Sequence, residues 1–434
     1  MAAMILDVPP VTGVSDPFPI QVSDLTPGDI VRVGIRATDA RGIVWSSTTE
    51  FTAAEDGCVD TGATLPGAAE WRPADSLGPL WTLRPEHGTP GAEFLVEPGF
   101  TVSLDIRVRT VSAALGAGAS RTVGRRAREI SAASHVSPLG GQSLNIRMFA
   151  PDDGSPRPGV ILLGGAEGGV PAAAAAELAD RGWTTAAWGW FPQESGGVDV
   201  GVLRAVLHDF VAHPRVDGDR LALIGRGRGA ELALLLAVAE PDLVGPVVAH
   251  SPSDVRTNDP HAGSSGSTYR GVVEPSVALS SQGSSSRWSR VSTFLRPALS
   301  GRPLHLAPYY AEARRKAGDG EVKAARIPVE RIRGPLLVTA GTGDEVWDSA
   351  TMGEALAHRA AEAGIDAYGV VYPGAGHGVG WPFTLSGLPV ADTAVAYGKT
   401  VLLGGDRAAS GAAAARSRDL VLEFLRQTHG GEPE

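Results

Sequence analysis

The strongest constraint on this chain is a series of short, unbroken apolar runs in its second half, each flanked by glycine or proline. They are PGVILL at Pro158–Leu163, LALI at Leu221–Ile224, GPVVAH ending at His250, and GPLLVTA at Gly334–Ala340. A strand with one wet face alternates apolar and polar residues; a strand buried on both faces does not. Helical patterns separate the runs, at Pro171–Arg181, Leu203–Ala212 and Ala230–Ala239, and a last one covers Arg416–Thr428. Strands are also expected at Ser143–Phe149, Trp183–Trp190 and Ala367–Tyr372. Alternating strands and helices of this kind build a parallel sheet covered by helices on both faces, an α/β domain.

The first hundred residues read differently. DIVRVGIRAT (Asp29–Thr38) alternates with period two, turns at Asp39–Gly42, and returns as VWSSTTEFT (Val44–Thr52). Phe100–Val108 alternates again, Pro19–Val22 is a short extended stretch, and Pro-Gly pairs punctuate the intervals. Short strands with turn signals predict an immunoglobulin-like β-sandwich. The expected organisation is a sandwich over 1–112, a Gly/Ala/Ser/Arg linker over 113–135, and the α/β domain over 136–434. Within the latter, the Ser/Gly-rich stretch 254–300 is an excursion between two strands, either a lid or a solvated loop.

The 434 residues suffice for two domains with sizeable cores, and 43% hydrophobic against 20% charged residues indicates a globular chain. The net charge of −10 argues against nucleic-acid binding. The single cysteine, Cys58 in a turn-like EDGCVD segment, permits neither an internal disulfide nor a cysteine zinc site, and it reads as a tolerated turn residue. No metal or cofactor is implied. The N-terminal MAAMILDVPPVTG lacks the charged and apolar regions of a secretory signal, and no run is long enough to span a bilayer, so the expectation is a cytoplasmic protein without membrane association. The wealth of Gly, Ala and Arg resembles a high-GC bacterial coding bias.

Three loops carry the chemistry. LALIGRGRGAEL (Leu221–Leu232) is strand, sharp Gly-rich turn, then helix, the form of a nucleophile elbow G-x-S-x-G, in which small flanking residues accommodate a strained central residue. Gly225 and Gly229 meet that need; the central position is Gly227. A dinucleotide fingerprint is disfavoured, because the next strand ends in His250-Ser251 rather than in an acidic residue. LLVTAGTGDEVWDS places Asp344 after a buried strand, and YPGAGHGVGWP places His377 in a Gly-rich loop after another. Elbow, Asp, His is the chain order of an α/β-hydrolase triad. LLGGAEGG (Leu162–Gly169) supplies backbone N–H groups that can face an oxyanion, with Gly165, Ala166 and Arg228 as candidate donors. Glu167 is a capping residue or a proton-transfer group.

With these motifs in place the chain resembles the acyl-CoA thioesterase and bile acid-CoA:amino acid N-acyltransferase family. The resemblance rests on VSDLTPGDIVRVGIRATDARGIVWSSTTEFTAAEDGCVD and GPLWTLRPE in the first domain. In the second it rests on PGVILLGGAEGG, HPRVDGDRLALIGRGRGAELAL, IPVERIRGPLLVTAGTGDEVWDS and YPGAGHG. It implies a sandwich joined to an α/β-hydrolase domain, acyl transfer from a thioester, Asp344 as the acid and His377 as the base. The family nucleophile falls on Gly227, which has no side chain.

Several readings answer that absence. In the preferred one, His377 oriented by Asp344 acts as general base on an acyl or carbonyl substrate, with no covalent intermediate. Gly227 leaves space beside the imidazole for a water or a substrate group. The kit suits hydrolysis, and also elimination, retro-aldol cleavage, isomerisation or cyclisation, as in bacterial specialised metabolism. In a second reading a displaced hydroxyl, Ser251 or Ser253, or an activated water serves a thioesterase or acyltransferase. In a third the protein is an inert binder. Arg226 and Arg228 are candidates to hold an acidic substrate or a coenzyme A phosphate, or else form salt bridges. His250 is a packed histidine or a further site residue.

Overall fold

The computed structural model describes residues 4–67, 75–88, 93–111, 118–127, 132–139, 142–190, 200–257, 268–269, 272–273, 302–396 and 398–430. Its first part is the expected β-sandwich. One sheet pairs Ile5–Asp7, Gln21–Ser23 and Val59–Asp60. The other runs in the order Val11–Gly13, Gly118–Arg126, Thr101–Thr110, Ile30–Thr38, Val44–Thr52, Arg84–Pro85. The period-two reading holds side chain by side chain: Val31, Val33, Ile35 and Ala37 are buried, and the residues between them are not. The turn at Asp39 is fixed by its carboxylate, whose Oδ1 accepts the Arg41 and Ile43 N–H groups at 2.9 Å each.

The second part is an eight-stranded sheet, here β1 (Ala132–Leu139), β2 (Gln142–Phe149), β3 (Arg157–Leu163), β4 (Thr184–Gly189), β5 (Val216–Arg226), β6 (Val244–His250), β7 (Leu336–Gly341) and β8 (Ala367–Tyr372). The strand order is β1-β2-β4-β3-β5-β6-β7-β8; only β1 and β2 run antiparallel to their neighbours. Helices α1 (Ala172–Ala179), α2 (Val200–Val211), α3 (Arg228–Ala239), α4 (Ala307–Ala325), α5 (Ser349–Glu362) and α6 (Arg407–His429) complete the domain. The apolar runs are the central strands: Leu221–Ile224 and all of β6 are buried.

The expected linker is not one. Within 113–135, Gly118–Arg126 pairs along its whole length with Thr101–Thr110, and β1 starts at Ala132. The chain therefore leaves the sandwich after Arg126. The sequence hides this strand because its alternation is diluted by Gly, Ser and Arg, and because one arginine points inward. Arg125 is 1% exposed and donates to the Val14 carbonyl at 2.6 Å and the Asp16 carbonyl at 3.0 Å, over the Phe18 ring. Its guanidinium also abuts Gly387 of the α/β domain. Arg418 donates across the seam to Ser15, and Val390 to the Trp81 carbonyl, so one apolar core runs through both domains.

The final helix begins nine residues earlier than expected, since Asp406 caps it by accepting the Ala409 N–H at 3.0 Å. Most of the excursion 254–300 lies outside the described residues. Its root does not: Asp254 is paired with Arg314 at 2.6 Å, and Ile327 N–H donates to the Asp254 carbonyl.

Candidate active site

The turn between β5 and α3 has the sharp backbone geometry of an elbow. Gly227 adopts φ 55°, ψ −116° between β5 and α3, a conformation costly for any residue with a side chain. Its N–H donates to the His250 carbonyl at 2.9 Å, and its carbonyl accepts from Ala230 and Glu231. A Cβ on Gly225 would strike the Gly229 carbonyl, and one on Gly229 would strike that of Leu163. Both flanking glycines are therefore dictated by how closely α3 packs on β3 and β5.

Across from the elbow stands His377. Its Nδ1 is 2.8 Å from Asp344 Oδ2, and the other carboxylate oxygen accepts the Val346 and Trp347 N–H groups at 2.8 and 3.1 Å. The Asp344 side chain is 2% exposed and that of His377 12%. Trp347 meets the imidazole edge-to-face at 5.0 Å. The His377 backbone is held at both ends, N–H to Leu403 carbonyl at 2.8 Å and carbonyl to Ser251 hydroxyl at 2.9 Å. Asp344 thus fixes the tautomer with hydrogen on Nδ1 and turns the Nε2 lone pair toward the elbow.

That lone pair comes close. A Cβ on Gly227 would lie 2.8 Å from His377 Nε2. With a C–C bond of about 1.5 Å, Nε2 and the Gly227 Cα are no more than about 4.3 Å apart. A water between them would need about 6 Å. The space expected beside the imidazole is therefore closed in that direction. Beside the imidazole lies a small cavity of about 30 Å³ bounded by Ala166, Glu167, Arg228, Trp347 and His377, with apolar side chains beyond.

Neither serine is a displaced nucleophile. The Ser251 hydroxyl is spent on His377's carbonyl and that of Ser253 on Val255's, the latter side chain fully buried. Ser251 has φ 46°, and its carbonyl accepts the Trp347 indole N–H. His250 is structural. It is wholly buried, with Nδ1 2.7 Å from Thr339 Oγ1 and Nε2 2.9 Å from the Trp381 carbonyl. Burial pushes its pKa down to about 3. It is a neutral ring whose backbone carbonyl supports the elbow.

Three further expectations are corrected. The Gly165 N–H donates to Glu167 Oε1 at 3.0 Å, so it serves Glu167 rather than an oxyanion. The Arg228 guanidinium is engaged along its own helix by Glu231 at 2.7 Å and by the Thr257 carbonyl at 2.8 Å, so the expected anion-binding role is taken up by these partners. Glu167 does not cap a helix; it folds over Gly165 and pairs with Arg226, which lies against the Phe383 ring. Burial opposes the Glu167 charge, but the Arg226 cation and the Gly165 N–H outweigh it and hold its pKa below the usual range. Cys58 is partly buried, with a pKa raised by desolvation and then by Asp56, the opposite of a reactive thiol. Trp347, Thr339 and Trp381 were missed; only the WDS that follows Asp344 marked the first.

A nucleophile elbow, a strand-end aspartate and a loop histidine on this sheet define an α/β-hydrolase with an N-terminal β-sandwich. More narrowly, residues 207–431 match the family "BAAT / Acyl-CoA thioester hydrolase C terminal" and residues 15–130 its "N-terminal region". The chain belongs to this family. Among curated proteins it is 25% identical to the bile acid-CoA:amino acid N-acyltransferase of Mus musculus, covering 98% of this chain and 97% of that one. It is 24% identical to the peroxisomal succinyl-coenzyme A thioesterase of the same species, over 85% and 83%. Among solved structures, an esterase of Pyrobaculum calidifontis is similar at 19% identity and a TM-score of 0.36, over 56% and 74%. Among the described residues no helix is long and apolar enough to cross a membrane.

Proposed function

We propose that the protein acts on the carbonyl group of an acyl thioester, with His377 as general base and without an acyl-enzyme. The observation that supports this is an intact His377–Asp344 pair facing an elbow that offers no atom to acylate. Nε2 takes a proton from a water or an acceptor X–H as its heteroatom attacks the carbonyl carbon. The N–H groups of Ala166 and Arg228, in the loop after β3 and at the start of α3, are the proposed donors to the oxyanion. When the intermediate collapses the C–S bond breaks, and the departing thiolate takes the proton back from Nε2.

Family membership supports the thioester, and the small cavity beside His377 supports direct attack. The test is thiol release from acetyl-, octanoyl-, palmitoyl- and benzoyl-CoA, with intact-mass spectrometry of the same mixtures. The expected result is turnover of at least one thioester with no protein adduct, reduced by roughly 10²–10⁴-fold in His377→Ala. An acyl adduct on the wild-type protein would overturn the non-covalent route. Binding without turnover, unchanged in His377→Ala, would favour an inert binder.

A further inference from the structure

Between the two domains, against the elbow, lies a cavity of about 390 Å³. This is within the range of small-molecule sites, roughly 300–1,000 Å³. One side is apolar: Phe94 from the sandwich, with Val170, Phe383, Leu385 and Leu388 from the α/β domain. The cavity's charged lining is Arg226 and Glu167 from the α/β domain and Arg41 and Glu93 from the sandwich, with Arg226 lying over the Phe383 ring. Arg41 is bound to Asp39 at 3.0 Å and to the Glu93 carbonyl.

Arg226 is different. Its side chain is 13% exposed and its Nη2 is bound to Glu167. Among the described residues its Nε and Nη1 make no hydrogen bond, and the nearest further carboxylate, Glu93 Oε1, stands 4.0 Å from Nη2. A guanidinium has five N–H donors in a planar fork suited to a second carboxylate. Its other partner, the Phe383 ring, leaves that edge available.

We propose that Arg226 is the receptor of a carboxylate-binding subsite in this interdomain cavity, and that its ligand is a carboxylate carried on an apolar chain. Glu167 holds the guanidinium in place, and the apolar wall takes the chain. Glu93 is the competing group. Although its side chain is 38% exposed, desolvation by the protein packed around it, and then the like charge of Glu167, raise its pKa against the opposing pull of Arg226 and Arg41. As pH rises through that pKa, Glu93 becomes a rival anion for Arg226 and repels the ligand, so affinity falls. The carboxylate can belong to the acyl group of a thioester or to a separate acid.

The experiment is calorimetric titration of the full chain with octanoate and with 1-octanol over a pH series from 5.0 to 8.5, with a thermal melt as fold control. The wild-type protein is expected to bind octanoate about tenfold or more tightly than octanol, with octanoate binding weakening as pH rises along the series. Arg226→Gln alone would strand the Glu167 charge, so the variant is the double Arg226→Gln/Glu167→Gln, in which the preference disappears. Glu93→Gln, at a 38% exposed side chain, keeps the preference and loses the pH dependence. Equal binding of octanol, or a preference that survives in the double variant, overturns the subsite. Titration of His377→Ala, in which turnover is suppressed, with suberoyl-CoA and octanoyl-CoA then separates the sources. A preference for suberoyl-CoA assigns the carboxylate to the acyl group; octanoate binding without it assigns a separate acid. These are binding readouts, so they stand or fall apart from turnover and from the His377 route.

Discussion

His377 Nε2 lies 2.8 Å from the point where a side chain on Gly227 would begin. The imidazole occupies ground that an ordinary elbow reserves for its nucleophile. It is held there by Asp344, Trp347 and both of its own backbone groups. Restoring the nucleophile is therefore not a neutral repair. Gly227→Ser has to push the ring back by a few tenths of an ångström, and it places a side chain at φ 55°, ψ −116°. The variant should be less stable by about 1–3 kcal/mol in urea unfolding. It should also show an acyl adduct with octanoyl-CoA in intact mass, where the wild type shows none. Unchanged stability would mean the ring is not fixed.

Asp344 does two things at once. One oxygen orients the imidazole, and the other accepts the Val346 and Trp347 N–H groups. Asp344→Asn keeps one acceptor and turns the other into a donor. If the amide oxygen stays on the backbone N–H groups, the NH2 meets Nδ1 and forces the hydrogen onto Nε2, where no proton can be accepted. Turnover should fall roughly 10³–10⁴-fold with little change in KM. Far-ultraviolet circular dichroism should show the fold intact. A loss of only a few fold would remove Asp344 from the mechanism.

How much of this was legible follows from where the signals lie. Apolar runs such as Leu221–Ile224 identify strands because burial on both faces excludes polar residues, and that is a property of the chain alone. The order elbow, Asp344, His377 was legible for the same local reason: each sits at a strand end with glycines about it. Gly118–Arg126 was not, because its inward arginine is buried only by virtue of backbone carbonyls at Val14 and Asp16, more than a hundred residues away. The roles of Arg226, Glu167 and Ser251 were equally hidden. Their partners come from segments distant in sequence and, for Glu93, from the other domain. Residue type gave the list of candidates; only tertiary contacts decide which are spent on structure.

The seam between the domains should be sensitive to one residue. Arg125 is almost fully buried, and burial lowers its pKa to about 10, yet its Nη2 satisfies two sandwich carbonyls and meets Gly387. Arg125→Met keeps the apolar stem but leaves those carbonyls without their donor. The expected loss is about 2–4 kcal/mol. Limited proteolysis should show earlier cleavage between the domains. Gly387→Ala, which drives a methyl group into the Val14 carbonyl and the same guanidinium, should loosen the same seam. Wild-type proteolysis of both variants would show that the seam does not depend on this contact.

His250 predicts how the protein responds to acid. Burial holds its pKa at about 3, against about 6.5 in an unfolded chain. Below pH 6.5 the unfolded state binds a proton that the folded state does not, so unfolding becomes easier as pH falls. The contribution is fully present above pH 6.5. It is lost at about 1.4 kcal/mol per pH unit from there down toward pH 3. From pH 6.5 to 5.0 this one group should remove about 2 kcal/mol. In His250→Gln the amide NH2 can still donate to the Trp381 carbonyl, while the acceptor for Thr339 is lost and the titration disappears. The variant should start about 1–3 kcal/mol less stable at pH 7 and lose less between pH 6.5 and 5.0. Urea midpoints at the two pH values measure it. Parallel acid curves for the variant and the wild type would show that His250 is not the group that titrates.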